Sequence, residues 1–411
     1  MPLNPRCLPP HRCRAGCGCG MSRRDFLRLT ALAGASVLPL LRSGEALAQT
    51  LRGDNVPVRI GYLPITDAAP LLLAHAQGLF AAQGLQAKRP RLFRSWAQLV
   101  EAFISGQVNV IHLLSPATLW VRYGTRFPAK IVAWNHINGS ALTVRPDIAS
   151  VEALGGQSVA IPFWYSIHNV LLQQILRRHG LKAVSRPREE KPGPREVNLL
   201  VQPPSEMVSA LASGAIAGFC VAEPFNALAE RNGIGRIVRF SGDVWNAHAC
   251  CVTLLAEQDL VQRPEWARRV TKALVAAQAW GRMHRLEAAR ALSAEHPERY
   301  TPHAAATLEA VFDPQAMAAY ETRGVIVHRD WHLTRIDFQP YPFPSYTEAL
   351  VRLLRETRLE GETAFLQALD PSFVARDLVD DRFVREAIAE LGGPALFGLS
   401  PDFSRHEEVA P

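Results

Sequence analysis

The sequence predicts an α/β fold of two lobes, each a mainly parallel sheet flanked by helices. Three observations predict it. Strand-like and helix-like segments alternate from Val56 onward, the alternation restarts near residue 146, and 363 residues follow Ala48. Repeated strand–helix alternation makes parallel sheets covered by helices, and a chain of that length supports two domains.

The elements follow in order. "VPVRIGYL" (56–63) is a β-branched strand leading into the helical stretch "DAAPLLLAHAQGLFAAQG", with Gly84 as its expected C-cap. "QAKRPRLF" reads as a strand and "SWAQLVEAFISGQ" as a helix capped by Ser95. "VNVIHLL" is a buried strand, a helix begins at Ser115, and "AKIVAWN" and "SALTVRP" follow as strands. The second round runs "LGGQSVAIP" strand, "SIHNVLLQQILRRHG" helix, "EVNLLVQ" strand, "PSEMVSALASG" helix, "IAGFCVAE" strand, "PFNALAERNG" helix and "IGRIVRFSG" strand. After "CCVTLLAE" the chain turns mainly helical to about residue 295. "KAVSRPREEKPGPR" (182–195) is Pro-rich and charged, so it is expected as a surface loop.

Residues 1–48 stand apart. Arg23 and Arg24 precede a weakly apolar run from Leu29 to Leu41, and the small-x-small exit Ala46-Leu47-Ala48 follows. Thirteen residues are too few to span a hydrocarbon core of ~30 Å. The ordered set resembles a twin-arginine export signal ending near Ala48. The periplasm is therefore the expected location. Four of the seven cysteines (Cys7, Cys13, Cys17, Cys19) lie in the upstream tract, which leaves Cys220, Cys250 and Cys251. Three cysteines in a large exported chain do not make a disulfide framework.

The balance of 45 basic and 38 acidic residues gives +7, but the leader holds seven of the arginines and only two of the acids. The chain after it carries about +2, so nothing points to nucleic acid. The dinucleotide-binding, P-loop, nucleophile-elbow and H-E-x-x-H patterns are absent. An α/β chain of this size without those signatures reads as a binding protein rather than an enzyme, with no cofactor.

"GYLPITDAAPLLLAHAQGLFAAQGL" resembles the opening of the nitrate/bicarbonate-type substrate-binding proteins of ABC importers, in the nitrate/sulfonate/taurine superfamily. The similarity continues through "RSWAQLVEAFISGQVNVIHLLSPA", "NGSALTV", "QSVAIPFWYSIHNVLLQQIL" and "VAEPFN". The resemblance implies a two-lobed periplasmic-binding-protein fold of type II with a ligand cleft between the lobes. Residues 56–145 with 255–400 would form one lobe and 146–254 the other. It also implies a monomer that captures a small solute and hands it to a membrane permease driven by an ATPase.

Ligands of open sheets sit beyond the carboxyl ends of strands, where helix starts offer free N–H groups. Asp67, Trp96, Ser115, Ser166, His168 and Glu223 occupy those positions. The resemblance assigns Trp96 and His168 to the ligand, while Glu223 either meets the ligand or caps the helix that follows it. Two positions depart from the family pattern: Ser140 stands where relatives have Gln, and Cys251 where they have Lys. Losing that ammonium removes a charge-assisted bond worth roughly 1.5–3 kcal/mol, which argues against nitrate and bicarbonate. Phe163, Trp164 and Tyr165 are open to two roles, stacking on an organic ligand or packing in the core. A rival reading comes from His248, Cys250 and Cys251, soft ligands close together, with His328, Asp330 and His332 as further candidates. It would make the chain a periplasmic ligand- or metal-sensing subunit, or a protein like the thiamin-pyrimidine synthases. The expected ligand residues are Asp67, Trp96, Ser115, Ser140, Ser166, His168, Glu223 and Cys251, and none is expected as a metal ligand.

Overall fold

Two sheets carry the alternation in a computed structural model that describes residues 56–187 and 190–411. The expected export signal and cysteine-rich tract lie outside the described residues. The first sheet has the strand order β2-β1-β3-β12-β4, from β1 (Ile60–Tyr62), β2 (Arg91–Leu92), β3 (Val110–Leu114), β4 (Ala129–Trp134) and β12 (Cys251–Ala256). The second has the order β11-β6-β10-β7-β9-β8. Its strands are β6 (Ser140–Val144), β7 (Ser158–Ile161), β8 (Lys182–Val184), β9 (Glu196–Val201), β10 (Gly218–Ala222) and β11 (Arg236–Phe240), and a separate short ribbon pairs β5 (Ile137–Asn138) with β13 (Ile336–Asp337).

Most strands in strand–helix–strand units pair in parallel, as β1 does with β2 and β3, and β7 with β9 and β10. The antiparallel pairs are those of β12 with β3 and β4, and of β6 with β10 and β11. These are the strands by which the chain enters one sheet from the other. Sheet membership therefore differs from the expected division in two places. β6 belongs to the second sheet, although 56–145 was expected in one lobe, and β12 begins at Cys251, inside the segment assigned to the other.

The chain crosses between sheets twice, over residues 135–139 and 241–250. The crossings hold each other: Ile137 bridges Ala249, the Asn138 N–H donates to the His248 carbonyl at 2.9 Å, and the Asn135 N–H donates to that of Cys251 at 3.1 Å. The turn out of the first crossing uses Asn138 and Gly139 at φ 60° and 79°. A Cβ on Gly139 would sit 2.9 Å from the His136 ring, so glycine serves both the left-handed turn and the room that ring needs.

Local chemistry sets the helix starts. Ser95 accepts from the Gln98 N–H ahead of the helix Trp96–Ile104, and Ser166 accepts from the Asn169 N–H ahead of Ile167–Arg178. The long helix expected before Gly84 is two, Ala69–Ala76 and Leu79–Ala82, because Gly78 takes the left-handed conformation between them. The helix Pro264–Met283 packs its apolar face on Ala69–Ala76 and closes the first sheet's outer side. No helix among the described residues is long and apolar enough to cross a membrane.

Candidate functional site

The two crossings, the loop after β1 and the start of the helix Ile167–Arg178 bring together polar side chains that water does not reach. Asp67, His136, His168, His248, Cys250 and Cys251 are each at most 1% exposed. A buried polar group without a partner costs free energy, and here the unpartnered atoms are concentrated. Neither carboxylate oxygen of Asp67 accepts a hydrogen bond, nor does either ring nitrogen of His136 or His248 make one; Nδ1 of His168 and of His112 and Nε1 of Trp96 are also unpartnered.

Asp67 pairs by charge with His136, whose Nε2 lies 3.2 Å from Oδ2. Burial pushes the Asp67 carboxyl up, but the His136 charge outweighs it and holds the group below the usual carboxylate range. His136 would be pushed down by burial, yet Asp67 raises it to about 10, so the pair is an ion pair at neutral pH. His112 accepts the Leu63 N–H on Nε2 at 2.9 Å, which leaves its proton on Nδ1; burial lowers it to about 4 and keeps it neutral.

The Sγ atoms of Cys250 and Cys251 and a carboxylate oxygen of Asp67 all lie within 4.8 Å of one another. Cys250 also contacts Ser140 Oγ at 3.6 Å and His168 Nε2 at 3.7 Å, and Ser140 Oγ lies 2.9 Å from the same ring nitrogen. Burial pushes both thiols up. A hydrogen bond with the neighbouring Cys251 thiol brings Cys250 down, whereas Cys251, facing Asp67, is held up. Both cysteines and Cys220 are free thiols.

The structure thus groups five of the predicted residues, or their immediate supports, around one point. Asp67, Ser140, His168 and Cys251 meet there. Ser115 holds the segment from behind, with its N–H donating to the Cys250 carbonyl at 2.9 Å and its hydroxyl donating to that of Ala249 at 3.1 Å.

The other predicted residues are placed differently. Trp96 is 3% exposed in the core and packs on His112 with ring centroids 5.2 Å apart, so it supports the site's wall from within rather than standing free in a cleft. Ser166 spends its hydroxyl on the helix cap and on the Phe163 carbonyl at 2.7 Å. Glu223 has both oxygens occupied: Arg335 Nε and Nη2 lie 2.8 and 2.7 Å from Oε1, and the Ala227 N–H donates to Oε2 at 3.1 Å. Phe163 and Tyr165 pack on Trp120 at 5.9 and 6.4 Å, and Tyr165 on Phe365 at 6.2 Å, which makes them packing residues. His328 turns its Nδ1 to the Asp243 carbonyl at 2.9 Å while Asp330 and His332 are exposed, so these three do not converge. An open groove of about 400 Å³ lined by Gln173, Arg177, Lys182 and Arg358 lies toward the far end of the helix that begins beside His168. None of the predicted site residues lines it.

His112 and His136 were not singled out in the sequence. Each sits in an apolar strand context, "VNVIHLL" and "AWNHINGS", where a histidine passes for a core residue. The usable signal was His136 three residues before a glycine that must be glycine.

Comparison with known proteins places the whole arrangement. The model of the NMT1-like family matches residues 52–295. A nitrate/nitrite binding protein, NrtA of a Nostoc strain, is 26% identical over 302 residues, covering 63% of this chain and 66% of that one. A nitrate import ATP-binding protein, NrtC of Synechocystis, is 27% identical over 229 residues, 53% of this chain and 32% of its own length. The chain therefore spans between a third and two thirds of the length of these relatives. Among solved structures, the periplasmic nitrate-binding protein NrtA from Synechocystis superposes with a TM-score of 0.65 at 19% identity, covering 84% of this chain and 92% of that one. A ligand-binding component of an ABC-type import system from Staphylococcus aureus, solved with zinc bound, gives 0.61 at 21%, covering 80% and 98%. These likenesses show the two-lobed periplasmic-binding-protein fold.

Proposed function

From the premise that the chain belongs to the NMT1-like family, we propose that it is the solute-binding component of an ABC importer. It is exported by the twin-arginine route and works in the periplasm as a monomer. It captures a small solute between its two lobes and passes it to a permease and ATPase in the inner membrane. It is not an enzyme on this reading. The relatives named above are binding and transport proteins, which supports it.

The observation that carries the reading is the set of buried, unpartnered polar atoms where both sheets and both crossings meet. Asp67 comes from the first sheet's loop and Ser140 and His168 from the second, so a solute touching all three would hold the lobes together. Ser140 and Cys251, the two departures from the family pattern, border these atoms, Ser140 beside His168 and Cys251 beside Asp67. Nitrate is accordingly not the expected solute: it would face the Asp67 carboxylate. Arg335, the one arginine or lysine among the described residues that is buried, is already held by Glu223.

A thermal-shift screen of the mature chain across anions, sulfonates, nitriles, pyrimidines and divalent metals tests the reading. A true solute at ~100 times its dissociation constant adds about 2.7 kcal/mol of stability, and it should shrink the radius of gyration as the lobes close. Deleting the gene should then abolish uptake of that solute. Unchanged uptake in the deletion strain would overturn the importer role.

A further inference from the structure

We propose that Asp67, Cys250 and Cys251 form a binding site for a zinc-class divalent metal ion. The proposal deepens the import reading, on which it rests only for the idea that the ion is cargo. Three features of the structure carry it. The first is donor chemistry: two thiols and a carboxylate are a mixed soft and hard set that suits Zn²⁺, and thiolates select it over magnesium or calcium. The second is spacing. The three ligand atoms lie within 4.8 Å of one another, and a tetrahedral ion with bonds of roughly 2.0–2.3 Å needs edges of about 3.5–3.8 Å, so a contraction of ~1 Å suffices.

The third feature is the state of the Asp67 carboxylate. Neither oxygen of the fully buried Asp67 is filled by a hydrogen bond, and its one charged neighbour is His136, whose Nε2 stands 3.2 Å from Oδ2. Glu223, equally buried, shows what this chain does with a structural carboxylate: it fills both oxygens. Asp67 is left open toward the thiols.

The surrounding residues fit supporting roles. His136 Nε2, 3.2 Å from Asp67 Oδ2, orients the carboxylate in the manner of an outer-shell partner. His168 Nε2 and Ser140 Oγ fix the Cys250 thiol at 3.7 and 3.6 Å. Both sulfurs bind as thiolates, so any proton still carried by either is released to water as its S–metal bond forms. The adjacent cysteines reach one ion because Cys251 opens β12 while Cys250 still belongs to the crossing, before strand alternation sends neighbours to opposite faces.

The test uses the mature chain, reduced and stripped with a chelator. Added Co²⁺ should give a sulfur-to-cobalt charge-transfer band in the near ultraviolet, displaced by Zn²⁺. In competition titrations, Cys250→Ser and Cys251→Ser should each weaken Zn²⁺ binding by about 100-fold or more. His136→Gln, a positioning residue, should weaken it by about 10–100-fold. Cys220→Ala should leave the band unchanged, since Cys220 lies outside the ligand set. Should the cysteine variants not fold, Zn²⁺ on the unaltered chain should still protect Cys250 and Cys251, but not Cys220, from alkylation as read by peptide mass mapping. No charge-transfer band, or one undiminished by both Cys250→Ser and Cys251→Ser, or one that disappears with Cys220→Ala, overturns the site. A cleft that closes on a different solute while zinc fails to bind removes this inference and leaves the importer standing. Zinc binding with normal zinc uptake in the deletion strain keeps the site and removes the cargo role.

Discussion

Asp67 and Glu223 are two carboxylates in nearly the same situation that the chain treats in opposite ways. Each follows a strand of its own sheet, each is fully buried, and their backbones touch: the Thr66 N–H donates to the Glu223 carbonyl at 3.0 Å. Glu223 is saturated by Arg335 and the Ala227 N–H. Asp67 has the charge of His136 beside it and no hydrogen bond to its carboxylate. The difference separates a residue that builds the molecule from one that is available to a ligand. Sequence position alone does not reveal it, because both stand at a helix start.

The largest expected effect breaks the saturated side. Glu223→Ala strands a buried guanidinium, and removing one partner of a buried pair costs about 3–5 kcal/mol. Urea unfolding of the unliganded protein should show that loss. Asp67→Asn should cost less in the same measurement, because the His136 left behind can lose its proton whereas the Arg335 guanidinium cannot. Equal losses in the two variants would erase the distinction between the carboxylates.

A second effect appears with pH and comes from the site's wall. His112 titrates at about 4 when folded against an ordinary 6.5, so the unfolded chain binds the extra proton between those values. Its contribution is fully present above pH 6.5 and is lost as pH falls through about 4. At roughly 1.4 kcal/mol per unit the loss is at most about 3.5 kcal/mol. His112→Gln, which keeps an acceptor for the Leu63 N–H, should flatten this acid limb. A limb of unchanged slope would show that the proton is taken up elsewhere.

How far these features are visible in sequence depends on their range. The alternation of strands and helices, the Ser95 and Ser166 caps and the positions of Asp67, Ser140, His168 and Cys251 are local or follow from the family resemblance. The break at Gly78 needed its backbone angle, and β6 needed its partners to be assigned to the second sheet. His136 was hidden because its significance lies in Asp67, which is far away in sequence and adjacent in space. The saturation of Glu223 was hidden for the same reason, since Arg335 comes from the C-terminal part of the chain.

Gly139 offers a smaller test on the open side. Gly139→Ala puts a methyl group against the His136 ring and an alanine at φ 79°. Strain of this kind costs about 1–3 kcal/mol. If the room around His136 matters to the site, ligand affinity should fall together with stability. Lost stability with unchanged affinity would place His136 outside the site.

The smallest expected effect compares two serines that the sequence assigned to the same ligand. Ser166 donates to the Phe163 carbonyl and accepts from the Asn169 N–H, so its hydroxyl is fully used in starting the helix. Ser140 points its hydroxyl at His168 and lies beside Cys250, within the buried group. Ser166→Ala should therefore cost about 1 kcal/mol of stability, the usual loss for an N-cap. Once that loss is allowed for, it should leave affinity for the solute or for Zn²⁺ unchanged. Ser140→Ala should do the reverse: it frees His168 Nε2 and alters how the Cys250 thiol is held, so affinity moves more than the unfolding midpoint. The two variants measured side by side read out whether a buried polar residue in this molecule serves the fold or the ligand. If Ser166→Ala lowered affinity as much as Ser140→Ala, the site would extend to the start of that helix, and the division drawn from Asp67 and Glu223 would not hold there.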